Sequence, residues 1–127
     1  MKDDHLRRGI DEFNREYFFE CHDTLEELWM DTIGHDRLFL QGLIQVSVGF
    51  YHLSNKNYRG AFSQFTKGLK KLDGYRPVHK GIELEEFMKH VQEWRTMVER
   101  TLGGDRISFD ETKVPKLQFL DSIQESR

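Results

Sequence analysis

The stretch Leu38-Phe39-Leu40-Gln41-Gly42-Leu43-Ile44-Gln45-Val46-Ser47-Val48-Gly49-Phe50-Tyr51-His52-Leu53 decides the fold. Apolar residues occur almost all round its helical wheel, the pattern of a helix surrounded by others rather than one lying on a surface. The segment from Asp36 to Leu53 therefore reads as a central helix. Gln41, Gln45 and His52 interrupt it, so it falls short of the roughly 18 uninterrupted apolar residues that mark a membrane span. Gly42 and Gly49 sit on one side of it, where missing side chains let a neighbouring helix approach closely at some cost in helix propensity.

The flanking segments supply the neighbours. After the short polar link 54–57, Tyr58, Phe62, Phe65, Leu69 and Leu72 mark an amphipathic helix ended by Asp73-Gly74, and the short link favours an antiparallel hairpin with the central helix. Upstream, Leu6, Ile10, Phe13 and Tyr17 predict a helix from about residue 4 to 15, with Asp3 and Asp4 at its positive end. Phe18, His22, Leu25 and Trp29 repeat the spacing, and Gly34 stops that second helix. Arg76-Pro77 and Gly81 make the run from Tyr75 to Ile82 an irregular connection. A last long helix follows from Glu83 to Leu102, with Leu84, Phe87, Val91, Trp94 and Val98 on one face and Gly103-Gly104 as terminator.

The expected fold is all-α, a small single-domain bundle of about five helices over residues 1–104. Residues 105–127 form a C-terminal extension. Its Ile107, Phe109, Val114, Leu117, Phe119, Leu120 and Ile123 are too many apolar groups for a solvated tail, so it packs on the bundle or on a partner, with Pro115 placed to open a short last helix.

Composition narrows the function classes. The 127 residues fit one domain, and 13% aromatic content is too high for disorder despite 32% charged residues. The net charge of -3 offers no overall positive field for a phosphate backbone, and acids elsewhere outweigh the small group Lys67, Lys70 and Lys71, so nucleic acid is not an expected partner. No membrane association is expected either. The lone Cys21 excludes an internal disulfide, and the opening Met-Lys-Asp-Asp-His lacks a secretory apolar segment, so a cytoplasmic location is expected. The partner reading that survives is a homo-oligomer joined through the extension.

Several polar residues occupy apolar faces. With Phe18 taken as the inward direction of the second helix, His22 points inward and Glu26 lies at the boundary, four residues on and within reach. Gln41, Gln45 and His52 share one face of the central helix. A buried polar group without a partner costs roughly 1 to 3 kcal/mol, so these five are expected to satisfy one another between the two helices, under Trp29.

The segment from Glu12 to Trp29 strongly resembles the signature of the family called domain of unknown function 309, whose core His-x-x-x-Glu-x-x-Trp is met by His22, Glu26 and Trp29. The segment Phe39 to Val46, with His52 and Gly60-Ala61 after it, resembles the family's second block, and the likeness runs over roughly residues 8 to 100. It implies a small all-helical domain without an established activity, for which metal binding through the motif's His and Glu has been suggested.

Three readings stay open. In the first, the cluster is a structural hydrogen-bond network of a non-catalytic domain, or holds one divalent metal ion through His22, Glu26 and His52; Gln45 is an unusual zinc ligand, so manganese or iron is no less suitable. In the second, Glu26 and His22 act as an acid–base pair on a small polar substrate. The third is a protein-interaction module. Spacing alone decides nothing, because His79 and Glu83 repeat the His-x-x-x-Glu pattern in an expected loop. The chain lacks the His-Glu-x-x-His of zinc proteases, any Glu-x-x-His of di-iron bundles, a Gly-rich phosphate loop and a Gly-x-Ser-x-Gly elbow. Cys21 reads as a small buried residue, Trp29 and Trp94 as core anchors, and His5, His35 and His90 as surface residues.

Overall fold

The computed structural model describes residues 3–120. In chain order they form α1 (Asp3–Asn14), α2 (Phe18–Met30), α3 (Asp36–Ser54), α4 (Tyr58–Leu72), the strands β1 (Val78–His79) and β2 (Ile82–Glu83), α5 (Glu85–Leu102) and β3 (Gln118–Phe119), with short 3-10 turns after α4 and before β3. The fold is the expected small all-α domain, and each helix from α1 to α4 packs on the next, with α5 on α4.

Helix α3 is surrounded, as its sequence requires: Phe39, Leu40, Leu43, Val46 and Phe50 are all at most 1% exposed. The Phe50 ring meets one aromatic ring from each of the other four helices. The centroids lie 5.9 Å from Phe13 of α1, 5.4 Å from Phe18 of α2, 4.7 Å from Phe65 of α4 and 5.8 Å from Trp94 of α5. All but the Phe18 stack are edge-to-face, the geometry the ring quadrupole favours in dense packing.

The α3–α4 hairpin is closed by glycines. A Cβ at Gly42 would meet Leu72 at 2.8 Å, and one at Gly49 would meet Phe65 at 2.5 Å, so both predicted close-approach positions are used. On the facing helix, a Cβ at Gly68 would lie 2.9 Å from the Gly42 carbonyl oxygen and 3.1 Å from the Val46 nitrogen. Asn57 caps α4, its Oδ1 accepting the Gly60 N–H at 3.0 Å.

Two segments depart from expectation. The run from Tyr75 to Ile82 contains an ordered hairpin, with His79 paired to Ile82 across Lys80 and Gly81. Those two residues have φ of 53° and 75°, and positive φ at both central positions is what a two-residue type I′ turn demands. Pro115 opens no helix before Phe119: the extension instead adds β3, antiparallel to β2 with Phe119 opposite Ile82. The reason is the free edge of β2, whose backbone groups the arriving strand satisfies.

Through Leu120 the extension lies on its own bundle. Asn14 clamps it from the end of α1, its Nδ2 donating to the Leu117 carbonyl and its Oδ1 accepting the Leu117 N–H, both at 2.8 Å. Trp94 Nε1 donates to the Lys113 carbonyl at 3.1 Å. Phe109 stacks between Tyr58 and Trp94, 5.8 Å from each. Ile123, counted among the extension's apolar groups, lies outside the described residues.

Replacing Phe50 by Ala is expected to cost about 3–5 kcal/mol in urea-melt stability, because the cavity opens where all five helices meet. Gly68→Ala should destabilise by about 1–2 kcal/mol, since backbone crowding outweighs the gain in helix propensity. Gly74→Ala, with nothing within 4 Å of its Cβ position, is the control and should move the same melt by under about 0.5 kcal/mol.

Candidate functional site

The motif residues lie on α2, packed between α1 and α3. Its buried positions are Phe18, Cys21, Thr24, Leu25 and Leu28. Their mean direction is rotated roughly 60° from Phe18, away from His22. That rotation corrects the expected inward cluster: the His22 and Glu26 side chains are 30% and 49% exposed.

The pair itself forms. His22 Nε2 lies 2.9 Å from Glu26 Oε2, and His22 Nδ1 lies 3.3 Å from Asp23 Oδ1. Both ring nitrogens therefore face carboxylates of their own helix. A protonated ring donates to both, whereas a neutral ring donates to one only.

His52 does not join them. Its Nδ1 is 3.3 Å from Asn57 Nδ2, and its ring carbons lie 2.9 Å from where a Gly60 Cβ would stand, so it fills the α3–α4 turn. The wheel correctly placed Gln41, Gln45 and His52 along one side of α3, but the start of α4 captures the far end of that side. Among the described residues no group of three or more His, Cys, Asp or Glu gathers to hold a metal. Gln45 Oε1 and Trp29 Nε1 are buried without a hydrogen-bond partner among the described residues, as is Glu12 Oε1 on α1.

Trp29 has a role that spacing did not reveal. The Arg37 guanidinium lies over its ring, 3.8 Å from the centroid, while Arg37 Nη1 donates to the carbonyls of Trp29 at 3.2 Å and Thr32 at 3.0 Å. One arginine thus binds the negative end of α2 and the face of its last aromatic residue. Cys21 is fully buried, and burial pushes its thiol up to about 12 against the lowering effect of a hydrogen bond with Ser47. It is protonated at neutral pH and is no nucleophile. His5, expected at the surface, is half-buried, with Nε2 donating to the Thr24 carbonyl at 2.9 Å.

The second His-x-x-x-Glu copy is divided between two tasks. Glu83 Oε1 accepts the Glu86 N–H at 2.9 Å and caps the start of α5. His79 Nε2 lies 2.7 Å from Asp36 Oδ1, tying the hairpin to the first turn of α3, with Lys80 Nζ 3.8 Å from the other oxygen. Burial alone would raise the Asp36 carboxyl, but the hydrogen bond from His79 and the charges of Lys80, His79 and His35 outweigh it and hold it below the usual carboxylate value. A lowered carboxyl stabilises the fold above the unfolded-state value and loses that contribution as pH falls through the folded one. Asp36→Asn is therefore expected to cost about 1–2 kcal/mol at neutral pH. In urea melts the gap to wild type should persist down to about pH 4 and close below it.

Among the described residues no helix is long and apolar enough to cross a membrane. No curated protein matches the chain. The model of the family described as Domain of unknown function (DUF309) matches residues 6–63, a shorter span than the likeness read over residues 8 to 100. That span holds most of α1, all of α2 and α3 and the first turns of α4, with His22, Glu26, Trp29 and His52 inside it. The resemblance carried by the His-x-x-x-Glu-x-x-Trp motif is thereby borne out: over residues 6–63 the chain is similar to the DUF309 family.

Proposed function

We propose that this chain is a non-catalytic cytoplasmic helical domain, and that His22 and Glu26 form a structural pair on the surface of α2. One observation carries this: both nitrogens of the His22 ring are met by carboxylates of the same helix, at 2.9 and 3.3 Å. Such contacts are those of a hydrogen-bonded pair on a helix surface, and among the described residues no group of three or more His, Cys, Asp or Glu is gathered around it to hold a metal ion. His52, the third candidate ligand, is engaged at the α3–α4 turn. The acid–base reading keeps the solvent access it requires, and the buried, protonated Cys21 removes only a thiol nucleophile beside the pair. The buried lone cysteine supports the reducing compartment. The extension's docking on its own bundle favours a monomer over assembly through residues 105–120.

Protein purified without a histidine tag is expected to carry less than about a tenth of an equivalent of manganese, iron or zinc. His22→Ala should lower stability by no more than about 0.5 kcal/mol, the worth of a solvent-exposed pair four residues apart. A full equivalent of one metal, lost in His22→Ala, would replace this reading with the divalent-metal one.

A further inference from the structure

A cleft of about 620 Å³ opens between the α1–α2 turn, the end of α3, the start of α4 and the extension. Its volume falls within the roughly 300–1,000 Å³ of small-molecule sites. The rings of Phe18 and Phe50, stacked at 5.4 Å, line it together with Phe19 and Tyr51, whose centroids are 5.7 Å apart. Trp94 and Phe109, stacked nearly parallel at 10°, line it too. Phe19 is 50% exposed and Tyr51 38%, a large aromatic area to leave in water on a domain of this size.

The charges around these rings are unequal. Glu16, Glu20 and Glu111 line the cleft, and among the described residues that line it Lys56 is the only basic one. Elsewhere on the molecule the chain places its own guanidinium groups on accessible aromatic faces. Arg37 lies over Trp29, Arg95 over Phe62 at 4.5 Å and Arg7 over Phe119 at 4.1 Å; at the cleft itself Arg15 lies 5.5 Å from the ring of Tyr17, a lining residue, on a different ring from Phe19 and Tyr51. Among the described residues no such cation is found over Phe19 or Tyr51 at the cleft.

We propose that this cleft binds a small organic cation of the quaternary-ammonium class, with the faces of Phe19 and Tyr51 as its platform and Glu16, Glu20 and Glu111 supplying the opposite charge. Such a cation combines an apolar surface with a diffuse positive charge, and so suits aromatic walls more than a strongly hydrated metal ion or a neutral ligand does. The proposal does not depend on the role given to His22.

The test is a titration of the full-length protein, followed by amide and indole N–H resonances, with choline and with its neutral isostere 3,3-dimethylbutan-1-ol. Choline should shift the resonances of Phe19, Tyr51 and the Trp94 indole saturably and bind at least about tenfold more tightly than the alcohol. Phe19→Ala, at a half-exposed position that the core does not need, should weaken choline binding at least about fivefold. The double variant Glu16→Gln with Glu20→Gln should weaken choline and leave the alcohol unchanged. Equal affinity for the two compounds, shifts confined to other parts of the molecule, or no saturation by about 50 mM choline would overturn the proposal.

Discussion

The ring of Phe50 is the point at which the five helices agree. Its contacts with Phe13, Phe18, Phe65 and Trp94 set one distance to each remaining helix, and a displacement of any helix opens a gap beside a fully buried ring. The residue before it is part of the same device. Gly49 leaves room for Phe65, and a Cβ there would occupy the space 2.5 Å from the Phe65 Cδ1 that brings the two rings within 4.7 Å. The glycine lowers the intrinsic stability of α3 by about 1 kcal/mol, and burial of the facing aromatic ring offsets that loss.

With the centre largely apolar and Ser47 and Thr24 among its few buried polar residues, most polar work moves to the helix ends. Arg37 binds the last carbonyls of α2, Asn57 caps α4, Glu83 caps α5 and Asn14 clamps the extension. Each satisfies backbone groups that a helix or an isolated strand leaves unpaired. Asn57 and Glu83 bond three residues on and act locally, whereas Arg37 and Asn14 also join separate segments and so fix tertiary geometry. Asn14 does so most directly: it pairs both backbone groups of Leu117 as a neighbouring strand would, and Leu117 is 3% exposed beneath it.

How legible these features are depends on whether one element or two decides them. The five helices were readable because their apolar spacing is strong and the chain holds only two prolines, and the close-approach glycines on α3 were readable from position alone. The orientation of α2 was not. Phe18 and Trp29 suggested one inward direction, whereas contact with α1 on one side and α3 on the other turned Cys21, Thr24, Leu25 and Leu28 to the core and left His22 at the edge. The hairpin at Lys80-Gly81 was hidden because lysine in the first turn position is a weaker signal than asparagine or aspartate. The link between Arg37 and Trp29 crosses a loop whose path no periodicity specifies, and His52 was lost to a cap residue of the next helix.

The aromatic cleft follows from the same central packing. Phe18 and Phe50 form part of both the core and the cleft lining, so the floor of the cleft is supported by the most constrained rings of the bundle. The rest of its lining is divided by origin. Phe19, Tyr51 and the carboxylates of Glu16 and Glu20 lie within the segment that matches the DUF309 family, whereas Trp94, Phe109 and Glu111 lie beyond residue 63. Phe109 reaches its place only because the extension folds back and inserts between Tyr58 and Trp94. The family segment thus supplies a half-open aromatic platform, and the extension determines how far it is enclosed and adds a third carboxylate. Selectivity at this cleft is therefore a property of how the extension is docked, which joins the clamp at Asn14 to the cleft through the backbone between Phe109 and Leu117.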